Sequence, residues 1–170
     1  PPIVEDQGID VTPKTIIFDI DSRNQVYLSY RLRDSLGIIK LGADGVVLEN
    51  SSTYFLDGMY SDYIEDIEVI SDNEILFAGE FISSVNLNVK NTSPYIINSL
   101  FPAPYADKMP TETFLVKYDS TFNIVWGRSP SPSNKMDFIE DIEYYDDKIY
   151  VCGLSDTTYL NDYCCTFVPG

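Results

Sequence analysis

One segment of the sequence occurs twice, and this repeat constrains the fold more than any other feature. Residues 64–79, Ile-Glu-Asp-Ile-Glu-Val-Ile-Ser-Asp-Asn-Glu-Ile-Leu-Phe-Ala-Gly, correspond to residues 139–153, Ile-Glu-Asp-Ile-Glu-Tyr-Tyr-Asp-Asp-Lys-Ile-Tyr-Val-Cys-Gly. A looser copy occupies residues 17–30. Each copy has two apolar segments around a polar turn, which predicts a strand, a turn and a second strand. Because such repeats stack on one another, the sequence predicts a repeat architecture.

A second kind of hairpin also occurs twice. Residues 38–48 place Asp44-Gly45 between two apolar segments, which is a strong hairpin signal. Residues 114–126 repeat the pattern, with Lys117 at the position of Lys40. The two hairpin types therefore alternate along the chain.

Several predicted strands are apolar on both faces. Residues 75–77, 114–116 and 149–151 lack the alternation of a strand that faces water on one side. The 13 Tyr and 9 Phe residues among 170 also favour strands over helices. Small sheets buried on both faces must lie between similar sheets, and the β-propeller is the commonest such arrangement. A β-sandwich would bury only one face of each sheet.

We therefore predict an all-β fold of β-propeller-like, four-stranded antiparallel blades, with about two and a half blades present. Propellers need ~4 to 8 blades, so further blades of the same polypeptide or other copies of the chain must cover the ends. The start at Pro1-Pro2 instead of Met suggests a piece of a longer polypeptide. The predicted segments are a lead-in (1–15), a half blade formed by a C-terminal hairpin (16–35), a full blade (36–81), an insertion or loop with an edge strand (82–111), a full blade (112–155) and a tail with a Cys pair (156–170).

The order of these motifs resembles the repeat of secreted SBBP-type β-propellers. The resemblance covers about two thirds of the chain, with Leu48 where the family has Trp and Ser29-Tyr30 where it has Ala-Gly. It implies an extracellular scaffold or binding module without a shared active site. The residues that match the repeat signature are Lys40, Asp66, Gly79, Lys117, Trp126, Asp141 and Gly153.

Composition excludes several classes of function. The net charge of −16 argues against nucleic-acid binding, which needs a basic surface. With no histidine, catalysis by Ser-His-Asp or Cys-His groups and His-based zinc sites are impossible within the chain. No apolar run approaches the ~18 residues of a membrane-spanning helix. We expect no enzymatic activity and no cofactor.

Paired acids are the main candidates for chemistry. Glu65-Asp66 and Glu140-Asp141 could act as the two carboxylates of a glycosidase. Their equivalent positions in successive repeats favour a structural role instead. Asp19 and Asp21 are weak candidates for Ca²⁺, because Arg23 stands where a ligand should lie and the turn lacks the EF-hand glycine.

Modification sites fit an extracellular protein. Asn50 and Asn91 begin glycosylation sequons, both in predicted loops. In an oxidising compartment, Cys152 could form a disulfide with Cys164 or Cys165, which would leave the third cysteine free or intermolecular. Alternatively, Cys152 is a small buried apolar residue.

Two functions remain open. The first is a secreted or cell-surface structural module within a larger assembly such as a polymer or filament. The alternative is the propeller portion of a carbohydrate-binding or carbohydrate-active protein, with its ligand at a central channel. Trp126 could stack on a sugar, but its place in the repeat favours core packing.

Overall fold

A computed structural model describes residues 16–32, 35–54, 63–82, 84–90, 93–98, 112–129, 137–155 and 163–167. The predicted lead-in, 1–15, lies outside these residues. All regular structure in the described part of the chain is β. The strands are β1 (Ile16–Ile20), β2 (Val26–Leu32), β3 (Ser35–Leu41), β4 (Val47–Tyr54), β5 (Tyr63–Ser71), β6 (Glu74–Phe81), β7 (Ser84–Asn86), β8 (Ile96–Asn98), β9 (Glu112–Asp119), β10 (Ile124–Arg128), β11 (Asp137–Tyr145), β12 (Lys148–Ser155) and β13 (Tyr163–Phe167).

The strands form three stacked antiparallel sheets and one small hairpin. The first sheet has the order β1-β2-β3-β4, the second β5-β6-β9-β10 and the third β11-β12-β13. Strand β5 contacts β1 and β2 of the first sheet, and β11 contacts β5 and β6 of the second. Strands β7 and β8 pair only with each other in the described residues. The predicted all-β, β-propeller-like fold of four-stranded antiparallel sheets is confirmed.

The sheets divide the chain at other points than the predicted blades. The predicted half blade, 16–35, is completed to four strands by β3 and β4, and the predicted blade 36–81 is split between the first and second sheets. The predicted blade 112–155 is likewise split between the second and third sheets. A repeat pattern does not say where each unit begins. The two residues between β2 and β3 force these strands to pair, because so short a connection joins antiparallel neighbours.

The second sheet is buried on both faces, as the sequence predicts. Ile75 and Phe77 of β6 belong to the core shared with the first sheet, whereas Leu76 and Ala78 belong to the core shared with the third. All four side chains are fully buried. Side chains alternate across a strand, so consecutive apolar residues supply both cores at once.

The described part of the predicted insertion contains a hairpin formed by β7 and β8. Val85, Leu87 and Val89 enter the core between the first two sheets. The hydroxyl of Tyr118 donates to the carbonyl of Leu87 at 2.5 Å. Any side chain at Gly127 would collide with Leu87 and Tyr95, so these two residues lie against β10.

Three turns share one backbone design. In each, the fourth residue has a positive φ: Asn24 at 58°, Gly45 at 78° and Phe122 at 62°. Asp21 and Asp119 begin two of these turns and accept backbone amides within them. Asp146 and Asp147 also have positive φ values, of 52° and 58°, in the tight turn between β11 and β12. Such turn residues agree with the predicted hairpins.

Burial on both faces of β6 leads to a stability prediction. We expect Phe77→Ala to lower the free energy of unfolding by ~3–5 kcal/mol and Leu76→Ala by ~2–5 kcal/mol, since each leaves a cavity in a different core. Phe18→Ala, at a side chain 60% exposed, is the matched control and should change it by less than ~1 kcal/mol. Chemical denaturation measures all three. A small effect of Leu76→Ala alone would contradict burial against the third sheet.

Candidate functional site

The repeated acids lie where edge strands of neighbouring sheets meet. β5 and β11 are edge strands of their sheets, and each has a register shift at the same place, between Ile64 and Asp66 and between Ile139 and Asp141. The skipped residues are Glu65 and Glu140. Such bulges disrupt an edge and discourage pairing with a foreign strand.

Asp66 connects the second and third sheets through backbone amides. Its Oδ1 accepts the amide of Ile67 at 2.8 Å, and its Oδ2 accepts the amide of Ile142 on β11 at 2.7 Å. Both oxygens of the carboxylate thus bind edge-strand donors that the sheets leave unpaired. This arrangement supports the structural role that the sequence favours for the paired acids.

A second carboxylate contact recurs at both sheet boundaries. Asp19 of β1 accepts the amide of Val69 at 2.7 Å, and Glu68 of β5 accepts the amide of Tyr144 at 3.3 Å. The hairpin registers place Asp19, Glu68 and Glu143 at equivalent positions, opposite Tyr27, Leu76 and Tyr150. Sequence analysis missed this contact. Alignment on Val26, Ile75 and Ile149 contains the signal, because it puts an acid six or seven residues earlier in every copy.

Burial shifts the protonation of these acids. Burial raises the pKa of Asp66 to about 6, and a hydrogen bond to Asp141 and the negative charge of Asp141 act in the same direction. The amides of Ile142 and Ile67, which donate to the Asp66 carboxylate, oppose this rise. Burial and the charges of Glu143, Asp19 and Asp66 raise the pKa of Glu68 to about 7 against the Tyr144 amide. Desolvation of a carboxylate always favours its neutral form.

Glu80 is a further buried acid that sequence analysis did not single out. It lies on β6, and only 2% of its surface is exposed. Burial and the charge of Glu65 raise the pKa of Glu80 to about 8, and burial also raises the pKa of Glu65. The fold therefore stabilises a protonated carboxyl here near neutral pH.

The two weak calcium candidates bind protein donors. Asp19 accepts the amides of Ile20 and Val69, both at 2.7 Å. Asp21 accepts the amides of Arg23 and Gln25 through Oδ1, and its Oδ2 lies 3.3 Å from the guanidinium of Arg23. In the described part of the chain, no group of three or more acids or cysteines is placed to hold a metal ion.

Turn residues join the first sheet to the second. Arg23 lies 3.6 Å from the carboxylate of Asp72 and also donates to its carbonyl, and Ser22 donates to its carboxylate at 2.6 Å. The Tyr27 ring meets Phe122 edge to face at 6.4 Å. These contacts lie between the first and second sheets, so this boundary combines an apolar core with polar turn contacts.

The two signature lysines are placed by the fold in different ways. The Nζ of Lys40 donates to the carbonyl of Ser120 at 3.3 Å and lies 4.9 Å from the centre of the Tyr27 ring. Burial and the charge of Arg23 lower the pKa of Lys40. Lys117 instead pairs with Glu74 within its own sheet, at 2.8 Å.

The remaining signature residues occupy packing positions. Trp126 packs against the core between the second and third sheets, and Arg128 lies 4.5 Å from the centre of its ring. Gly79 and Gly153 occupy equivalent positions, paired with Ile64 and Ile139. The packing favoured for Trp126 on sequence is thus what the structure shows.

The predicted modification sites are only partly described. Asn50 lies in strand β4, not in the predicted loop, since β4 stays paired with β3 as far as Tyr54. Asn91 lies outside the described residues. Cys152 pairs with Cys164 in the backbone register of β12 and β13, with Cys165 opposite Val151. The side chains of Cys164 and Cys165 are not described, so the disulfide and both glycosylation sites stay predictions.

The outer face of the first sheet is apolar and exposed. Ile16, Phe18 and Ile20 alternate along β1 and are 54%, 60% and 48% exposed. Val47, on β4, is 55% exposed, whereas Ile17 of β1 packs into the core behind the sheet. Large contiguous patches of exposed apolar surface are typical of interaction sites.

The fold and its contacts define a class of protein: a stack of antiparallel, β-propeller-like sheets joined by carboxylate-to-amide contacts. No protein-family model matches the sequence, and no curated protein is similar to it. No helix in the described residues is long and apolar enough to cross a membrane.

Two crystal structures are similar to this chain. One is a protein of unknown function from Bacteroides caccae, with 14% identity, a TM-score of 0.40, and coverage of 84% of this chain and 57% of that chain. The other is the Nup133 β-propeller domain of Vanderwaltozyma polyspora, with 14% identity, a TM-score of 0.28, and coverage of 88% and 56%. This chain thus spans little more than half the length of either.

The contribution of the Asp66 contacts to stability can be measured with a matched pair of variants, one at Asp66 and one at an exposed acid. We expect Asp66→Ala to lower the free energy of unfolding by ~1–2 kcal/mol, because the amides of Ile67 and Ile142 lose their acceptor. Glu140→Ala removes an acid from an exposed position of β11 and should cost the isolated chain no more than ~0.5 kcal/mol. Urea denaturation of dilute protein compares them. Equal losses would show that Asp66 does not join the sheets.

The buried acids predict a dependence of stability on pH. Since folding raises the pKa of Glu80 from 4.5 to about 8, the folded state binds more protons, and stability falls as pH rises from 5 to 8. Glu80→Gln should raise the free energy of unfolding at pH 8 by as much as ~4 kcal/mol and flatten this dependence. Glu140→Gln, at an exposed acid, is the control with the same charge change. Identical pH profiles for wild type and Glu80→Gln would contradict the prediction.

Proposed function

We propose that this chain is a structural interaction module without enzymatic activity, part of a larger assembly in which a neighbouring sheet covers the outer face of the first sheet. One observation carries the proposal. The exposed face of the first sheet is the structural equivalent of the face through which the second sheet packs against the first.

Strand registers establish this equivalence. Across the second sheet, Val69, Ile75, Tyr118 and Ile124 form a cross-strand row that packs in the core between the first two sheets. Across the first sheet, the matching row is Ile20, Val26, Leu41 and Val47. The row is apolar throughout in both sheets. The first sheet therefore presents to solvent a surface that its neighbour buries.

A second set of cross-strand residues shows the same equivalence between the two sheets. Ile67, Phe77 and Val116 of the second sheet are buried in the same core, and Phe18, Leu28 and Ile39 occupy the matching positions of the first. Burying such side chains against a partner contributes favourable free energy of ~25 cal/mol for each Å² of apolar surface removed from water. A partner sheet is thus the occupant that this surface fits.

An extracellular location belongs to the same proposal. Its support is the resemblance to secreted repeats, together with two sequons and three cysteines. The carbohydrate-binding alternative has less support, and Trp126, one of its aromatic candidates, packs against the core.

The proposal predicts association through the first sheet. The wild-type chain should associate with rising concentration in light scattering, and Phe18→Lys should abolish this by placing a charge in the apolar face. Asn73→Lys, at an exposed turn residue of the second sheet, is the control and should leave association unchanged. Circular dichroism verifies that each variant is folded. A wild-type chain that stays a monodisperse monomer would contradict the proposal.

A further inference from the structure

The outer face of the third sheet repeats the acids that join the sheets within the chain. Asp141 lies opposite Cys152, as Asp66 lies opposite Ala78, and Glu143 lies opposite Tyr150, as Glu68 lies opposite Leu76. Asp66 and Glu68 accept amides of the next sheet. Asp141 and Glu143 are exposed.

The outer face of the first sheet has the complementary half of this contact. Phe18 and Ile20 on its edge strand correspond to Ile142 and Tyr144, whose amides Asp66 and Glu68 accept. Around them lies the apolar face described above. One end of the stack thus carries the acids, and the other carries the apolar face with its edge strand.

We infer that copies of this chain bind head to tail, with the outer face of the third sheet of one copy on the outer face of the first sheet of the next. The inference rests on the proposed function and names its partner as a second copy. The Asp141 carboxylate accepts the amide of Phe18 across the interface. Glu143 lies beside Ile20, whose amide already donates to its own Asp19 at 2.7 Å.

The interface repeats the design of the boundaries inside the chain, so its two sides differ. Such a heterologous contact produces a ring if the rotation closes and an open filament if it does not. The net charge of −16 opposes association of identical copies, so added salt should strengthen it.

Complementation between two blocked variants tests the inference. Phe18→Lys blocks the first-sheet face and Asp141→Lys blocks the third-sheet face. Each variant alone should be monomeric in analytical ultracentrifugation at a salt concentration where wild type associates. An equimolar mixture should form a dimer and nothing larger, because only one competent interface remains. Asp44→Lys, in the exposed turn between β3 and β4, is the control and should associate like wild type.

The other outcomes separate the inference from the proposed function. If Asp141→Lys still associates while Phe18→Lys does not, the first sheet binds by itself, and the head-to-tail geometry is wrong although the proposed function stands. If both variants associate like wild type, both are wrong. Should Asp141→Lys misfold, Tyr150→Lys blocks the same face, and its mixture with Phe18→Lys must give the same dimer.

Discussion

Burial of the second sheet on both faces is the constraint on which the rest of the structure depends. Its strand β6 supplies Phe77 to one core and Leu76 to the other, and both side chains are fully buried. Alone in water, such a sheet would expose apolar surface on two sides at a cost that its hydrogen bonds cannot offset. The first and third sheets are therefore conditions for the second to fold, and stability is a property of the stack.

Stacking of the sheets places backbone amides of the edge strands between sheets, and acidic side chains accept hydrogen bonds from them. Strands β5 and β11 are edges, and their outward amides lie between sheets where water is partly excluded. Asp19, Asp66 and Glu68 accept these amides. Burial also raises the pKa values of Asp66 and Glu68. It thus disfavours the ionised carboxylate, which is the form that accepts hydrogen bonds most strongly.

The strands can be predicted from the sequence because each depends on residues that are close together in the chain. Consecutive apolar residues at 75–77 indicate burial on both faces, and Asp44-Gly45 indicates a hairpin. The grouping of hairpins into sheets is not local: β2 and β3 pair across two residues, whereas β6 and β9 pair across the long insertion. The repeat pattern is the same whichever hairpin is taken as the start of a unit. The buried Glu80 and the role of Glu68 were also beyond sequence reasoning, since the burial of an acid depends on which sheet packs beside it. The alternation of Ile16, Phe18 and Ile20 was visible, but its exposure was not.

The two ends of the stack differ because the two faces of each sheet differ. The acids Asp66 and Glu68 lie on the side of the second sheet that faces the third, and the residues that pack on the first sheet, such as Ile67, lie on the other side. Any two neighbouring sheets consequently meet through unlike faces. A stack with this rule ends in one face that carries the equivalents of Ile67 and one face that carries the equivalents of Asp66 and Glu68 on its edge strand. The exposed Phe18 and the exposed Asp141 are thus two consequences of a single packing rule.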